Sequence, residues 1–127
     1  MARRTAVFIF CLMLWSSHIH PVLAEQTEVP NIPVPNMVTM VDLGAHSCIP
    51  CKMMAPILEE LREEYKGKAA IVFIDLQEHP QQAKKFNLKT IPTQIFFNKQ
   101  GEEVYRHMGF LDKESIVKKL QSLGVNK

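Results

Sequence analysis

Val41-Asp42-Leu43-Gly44-Ala45-His46-Ser47-Cys48-Ile49-Pro50-Cys51-Lys52-Met53-Met54 is the stretch on which the reading of this 127-residue chain turns. An apolar, strand-forming run, Met37 to Leu43, ends inside it. A helix-like run leaves it and continues to about Tyr65. The pair Cys48 and Cys51 sits at the junction. At a helix N-terminus the unpaired backbone N–H groups and the helix dipole favour negative charge, which lowers the pKa of the Cys48 thiol. Cys51 lies about one helical turn on, placed to attack a mixed disulfide formed at Cys48. The four residues therefore hold a complete dithiol–disulfide exchange cycle.

Two rival readings are weaker. Zinc and iron–sulfur sites usually take four ligands, often from two such pairs, and this chain has one pair. A purely structural bridge over so short a loop gains little from constraining the unfolded chain. The third cysteine, Cys11, falls in a segment expected to be removed. Met1-Ala2-Arg3-Arg4 is a short positive region, Ala6 to Trp15 is apolar and uncharged, and Val22-Leu23-Ala24 suits signal peptidase. The apolar core is about half of the roughly 20 residues a membrane span needs. Residues 1–24 read as a cleaved signal peptide, residues 25–36 as a proline-rich linker or a segment along a sheet edge, and residues 37–127 as one domain. Arg3-Arg4 alone does not decide between the general and twin-arginine export routes.

Loss of Arg3 and Arg4 removes the formal charge of +2 and leaves the rest of the chain neutral. No basic run remains to suggest nucleic acid. An exported chain with one remaining cysteine pair is expected where disulfides persist: the periplasm, the exterior of the cell or a secretory lumen. The C-terminal Gly124-Val125-Asn126-Lys127 is not a retention signal, which weakly favours the envelope.

Outward from the motif, Pro30, Pro33 and Pro35 exclude a helix before Met37. After Cys51, Met54, Ile57, Leu58, Leu61 and Tyr65 recur at helical spacing opposite Glu59, Glu60, Arg62, Glu63 and Glu64. Pro56 is expected to kink this helix, and Gly67 to stop it. Ala69 to Asp75 reads as a second buried strand, parallel to the first. Glu78 to Phe86 reads as a short helix, Gln94 to Phe97 as a strand, and Asn98 to Gly101 as a turn into a strand over Glu102 to His107. Asp112 is expected to cap a last helix that turns Ile116, Val117 and Leu120 inward.

At this point the sequence resembles the thioredoxin family. Val41-Asp42, the run from Cys48 to Leu58, Ile74-Asp75, Ile91-Pro92-Thr93, Gly101 and Gly109 occur in family order and spacing over residues 37–123. The resemblance implies an α/β thioredoxin fold: a central mixed sheet of four to five strands flanked by helices. The 12 residues before Met37 leave no room for the family's first strand and helix together, so a trimmed form, or a first strand without its helix, is expected. It also implies site roles. Cys48 is the exposed nucleophile and Cys51 the buried resolving thiol, joined as a disulfide when oxidised. Asp42 is the buried carboxylate behind the resolving thiol, accepting the Cys51 proton through water. Pro92 is cis, with Ile91, Pro92 and Gly109 forming the surface that holds a client backbone.

Several positions depart from the family. Ser47 and Gly44 stand where tryptophans are usual, and Ile49 replaces a glycine. The family's lysine near the buried acid falls at Ile71. His46, Ile49 and Pro50 are the residues expected to tune the pair. His46 has three readings: an imidazolium that stabilises the thiolate, a ligand joining the cysteines in a copper or zinc site, or an exposed loop side chain.

The sequence thus points to an exported thiol–disulfide oxidoreductase, with Pro50 and Ile91 resembling the reducing branch. No cofactor and no resident metal are expected. Expected partners are disulfide-bearing envelope proteins, among them apocytochromes, and a membrane thiol reductase as electron donor. No nucleic acid is expected, and the protein is expected to be a monomer. The alternatives are an envelope thiol oxidase, a metal carrier using Cys48, Cys51 and His46, and a redox-inert binding module.

Overall fold

The computed structural model describes residues 29–126. The expected signal peptide and Cys11 lie outside them. Seven elements follow in the order β1 (Val38–Gly44), α1 (Ile49–Glu64), β2 (Ala69–Asp75), α2 (Gln81–Lys85), β3 (Thr93–Phe97), β4 (Glu103–Met108) and α3 (Lys113–Ser122). The sheet has four strands in the order β2-β1-β3-β4. β1 runs parallel to β2 and antiparallel to β3, and β3 pairs antiparallel with β4. This is the mixed sheet of the expected fold in its trimmed form: among the described residues no strand precedes β1.

The period-2 alternation of the strands sorts their side chains onto two faces. Val38 and Met40 of β1, Ala69 and Ile71 of β2 and Phe96 of β3 pack with Met54, Leu58, Leu61 and Tyr65 of α1 and Ile116 and Leu120 of α3. Lys113 of α3 reaches Glu60 and Glu64 of α1 and ties these helices together at the surface. On the other face Val41, Leu43, Ile74, Ile95 and Phe97 pack with Phe86.

Ile32 also belongs to this second core, at 4% exposure, with Val29 packed against it. The described part of the proline-rich stretch, read from the sequence as a linker or a sheet-edge segment, lies against the domain. It packs on the same face as Phe86, the residue that ends the short α2. The Val34 N–H donates to Thr39 Oγ1, which anchors the stretch to β1.

Local chemistry sets the element ends. α1 continues through Pro56 rather than breaking there. Gly67 takes a positive φ of 74° just past its end. α2 starts three residues later than its sequence suggests. Asp75 uses the intervening residues as a turn, its Oδ1 accepting the Gln77 N–H and its carbonyl the His79 N–H. Asp112 caps α3, with Oδ1 accepting from the Ser115 N–H.

Candidate functional site

Three strand ends and one helix start converge at one end of the sheet. β1 ends at Gly44, β3 begins at Thr93 opposite Leu43, and β4 ends at Met108 opposite Thr93. α1 starts in the loop that leaves β1. Cys48 is its N-cap residue, in extended conformation, and its Sγ accepts the Cys51 N–H at 3.3 Å. No acidic residue stands in the first turn of α1, so nothing there opposes a thiolate. Pro50 lies in that first turn, where a missing N–H costs no helical hydrogen bond.

Cys48 and Cys51 form a disulfide, with Cα atoms 5.2 Å apart. The two sulfurs are unequal. Cys51 is 4% exposed, whereas Cys48 is only partly covered. Ile49 between them is 74% exposed, and Met53, one turn on, is also exposed.

The Ile91–Pro92 bond is cis. The Gly109 N–H donates to the Pro92 carbonyl at 2.8 Å. Gly109 has φ 98°, a backbone conformation that residues with a Cβ rarely adopt, although no atom crowds the position. The three residues expected at a client surface are thus brought together, next to exposed Met108 and Phe110.

Asp42 is wholly buried on β1. Its Oδ1 accepts the Gln94 Nε2–H at 2.7 Å. Burial pushes its carboxyl up to about 6, and the Gln94 hydrogen bond offsets part of that. Asp42 lies two residues before Gly44 and therefore on the same face of β1. A Cβ on Gly44 would stand 2.9 Å from Cys51 Sγ and 3.2 Å from the Phe73 ring. The tryptophan expected by resemblance has no room here. Phe73 and Cys51 occupy the space.

The strand register places Phe73 beside the acid and Ile71, the position matched to the family's lysine, two residues away along β2. Phe73 pairs with Asp42, whereas Ile71 pairs with Met40. An aromatic ring thus stands beside the acid on β2. Phe73 and Cys51 line a cavity of about 190 Å³ whose rim carries His46 and Arg62.

His46 turns toward β2. Its ring Nε2 is 3.4 Å from Asp75 Oδ2, which also accepts the His46 backbone N–H at 3.1 Å. Burial acts to raise the Asp75 carboxyl. The N–H donors of Gln77 and His46, with the imidazole, outweigh it and hold the carboxyl below its ordinary value. The His46 side chain is 72% exposed and packs obliquely on Phe73. Among the described residues no three His, Cys, Asp or Glu side chains are grouped to hold a metal ion. The three-ligand site of Cys48, Cys51 and His46 is not assembled.

Gln94 and Phe73 belong to no motif in the sequence, and Asp75 enters there only through the Ile74-Asp75 match. Gln94 carried a usable signal, an amide on an apolar strand at the same parity as Phe96.

A family model described as thioredoxin matches residues 20–122. A thioredoxin of Staphylococcus saprophyticus is 46% identical over 84 residues, covering 66% of this chain and 80% of that protein. A thioredoxin of Staphylococcus haemolyticus is 48% identical over 83 residues, covering 65% and 79%. Among solved structures, a chloroplastic thioredoxin z is similar with a TM-score of 0.63 and 27% identity, covering 70% of this chain and 80% of that one.

Proposed function

This chain belongs to the thioredoxin family and is a protein disulfide oxidoreductase; from that premise we propose that it is exported and reduces disulfides in envelope proteins. The observation that carries the chemistry is the asymmetry of the bonded pair: Cys48 caps α1 and is reachable, while Cys51 is buried behind it.

The reaction follows from this placement. In the dithiol form the Cys48 thiolate, favoured by the helix N-terminus and the Cys51 N–H, attacks one sulfur of a client disulfide. A mixed disulfide forms and the first client thiolate leaves. Cys51 then gives its proton to Asp42 and attacks Cys48 Sγ, releasing the second client sulfur. Two electrons pass to the client, and the pair is left as the disulfide seen here. A base with a pKa of about 6 is largely ionised at neutral pH and able to take that proton. The client is held by an extended backbone pairing at Ile91, beside cis Pro92 and Gly109. Ile49, Met53, Met108 and Phe110 offer it apolar contact. His46 acts on the pair at most from a distance, since it engages Asp75.

Export rests on the sequence of residues 1–24. A reductant in an oxidising compartment needs an electron supply, which a membrane thiol reductase provides. Apocytochromes awaiting haem and mispaired exported proteins are the clients that fit. Two cysteine variants test the chemistry. Cys48→Ser should abolish reduction of protein disulfides, and Cys51→Ser should accumulate a mixed disulfide visible on non-reducing gels. Equilibration in thiol–disulfide buffers tests the direction. A potential near about −270 mV supports a reductase, and one near about −120 mV makes the protein a thiol oxidase instead. Cell fractionation with N-terminal sequencing tests export: a mature chain beginning at Glu25 outside the cytoplasm is expected, and an uncleaved cytoplasmic chain overturns it.

A further inference from the structure

We propose that Gln94 is a positioning residue for the exchange, holding Asp42 by Oδ1 so that Oδ2 is the oxygen that receives the Cys51 proton. This rests on the oxidoreductase reading and deepens it.

The two side chains are fully buried and meet across the β1–β3 register, in which Asp42 pairs with Gln94. The Nε2–Oδ1 distance of 2.7 Å is that of a strong, charge-assisted bond. Two acceptors in this pair, Asp42 Oδ2 and Gln94 Oε1, are buried without a hydrogen-bond partner among the described residues. A buried acceptor without a protein donor costs free energy, a cost that protonation of that oxygen relieves. On Oδ1 the amide donor already occupies a lone pair, so the unpartnered Oδ2 is the more basic oxygen. The amide also limits rotation of the carboxyl about its Cβ–Cγ bond.

Among the described residues, burial and the Gln94 hydrogen bond are what act on the carboxyl. Phe73 faces it from β2. On the far side of Phe73, Cys51, Lys52, Glu59 and Arg62 of α1 line the neighbouring cavity, which Asp42 does not line. His46 and Asp75 engage each other at the strand ends. His107 pairs with Gln94 from β4, but its ring Nε2 contacts the Phe110 carbonyl.

The test is the pH dependence of insulin-disulfide reduction with dithiothreitol as electron source. It compares the wild type with Gln94→Leu, Asp42→Asn and the double variant. Loss of a hydrogen bond to a charged group should move the midpoint of the Asp42-dependent shoulder upward by about one pH unit. The rate near the original midpoint falls several-fold, while rates well above it converge. In the Asp42→Asn background Gln94→Leu should shift nothing further. An unmoved midpoint, or an equal shift in both backgrounds, overturns the proposal.

A second measurement needs no variant. In the wild type the Gln94 side-chain amide signals in a 15N–1H spectrum should titrate with the Asp42 carboxyl carbon. Amide signals that stay flat through that titration also overturn it. A wild type that reduces no protein disulfide would defeat the oxidoreductase reading instead, while the spectra still report on the pair.

Discussion

Asp42 shows how one residue trades stability for chemistry. Its carboxyl titrates at about 6 in the folded protein, against an ordinary value of 3.8. Because the folded value is the higher one, the unfolded chain ionises first as pH rises. Stability therefore falls between about pH 4 and pH 6 and levels off above. The shift corresponds to about 3 kcal/mol at neutral pH. Asp42→Asn should accordingly be more stable than the wild type at pH 7, by up to that amount in urea unfolding, with the gap closing below about pH 4. The same variant should slow the resolving step and accumulate mixed disulfide. A variant that is less stable at pH 7 would show that burial does not dominate at this position. The burial of Asp42 was legible because the residues around it are apolar. Its partner was not, since strand register brings Gln94 to it from 52 positions away.

At the scale of elements, the β1–α1 junction sets how the cysteines are presented. β1 passes so close to Cys51 that only glycine fits at its end. Gly44→Ala should cost about 1–3 kcal/mol of stability in urea unfolding, an overpacking penalty against a disulfide sulfur that cannot swing away. It should also alter the reduction potential of the pair, because the displaced atom is Cys51 Sγ. An unchanged potential and stability would mean that β1 relaxes freely here. The helix over α1, the β2 strand and the Asp112 cap were readable from periodicity and capping chemistry. The start of α2 was not, because the Asp75 side chain diverts residues 76–79 into a turn that hydrophobic spacing does not register.

Across the whole molecule, a four-stranded sheet with two apolar faces must be covered on both. α1 and α3 cover one face. Among the described residues the other is packed by Phe86, Leu76 and Leu88, which flank the short α2, and by Val29 and Ile32 of the extended stretch. Ile32→Ala should therefore cost about 2–4 kcal/mol in urea unfolding, the price of a core side chain. A linker residue would be nearly silent, and a silent result would return this stretch to that role.

The sequence by itself determined the chemistry and the class of fold. Cys48 and Cys51 lie at a strand-to-helix junction, and this placement needs only local geometry to be recognised. Alternation and helical periodicity likewise report each element from its own residues. Only the tertiary structure decided which side chains meet across strands and loops: Gln94 on Asp42, Phe73 against Gly44, His46 on Asp75, Ile32 on the second core. Those contacts depend on register and on the packing of distant segments. No pattern of neighbouring residues encodes them.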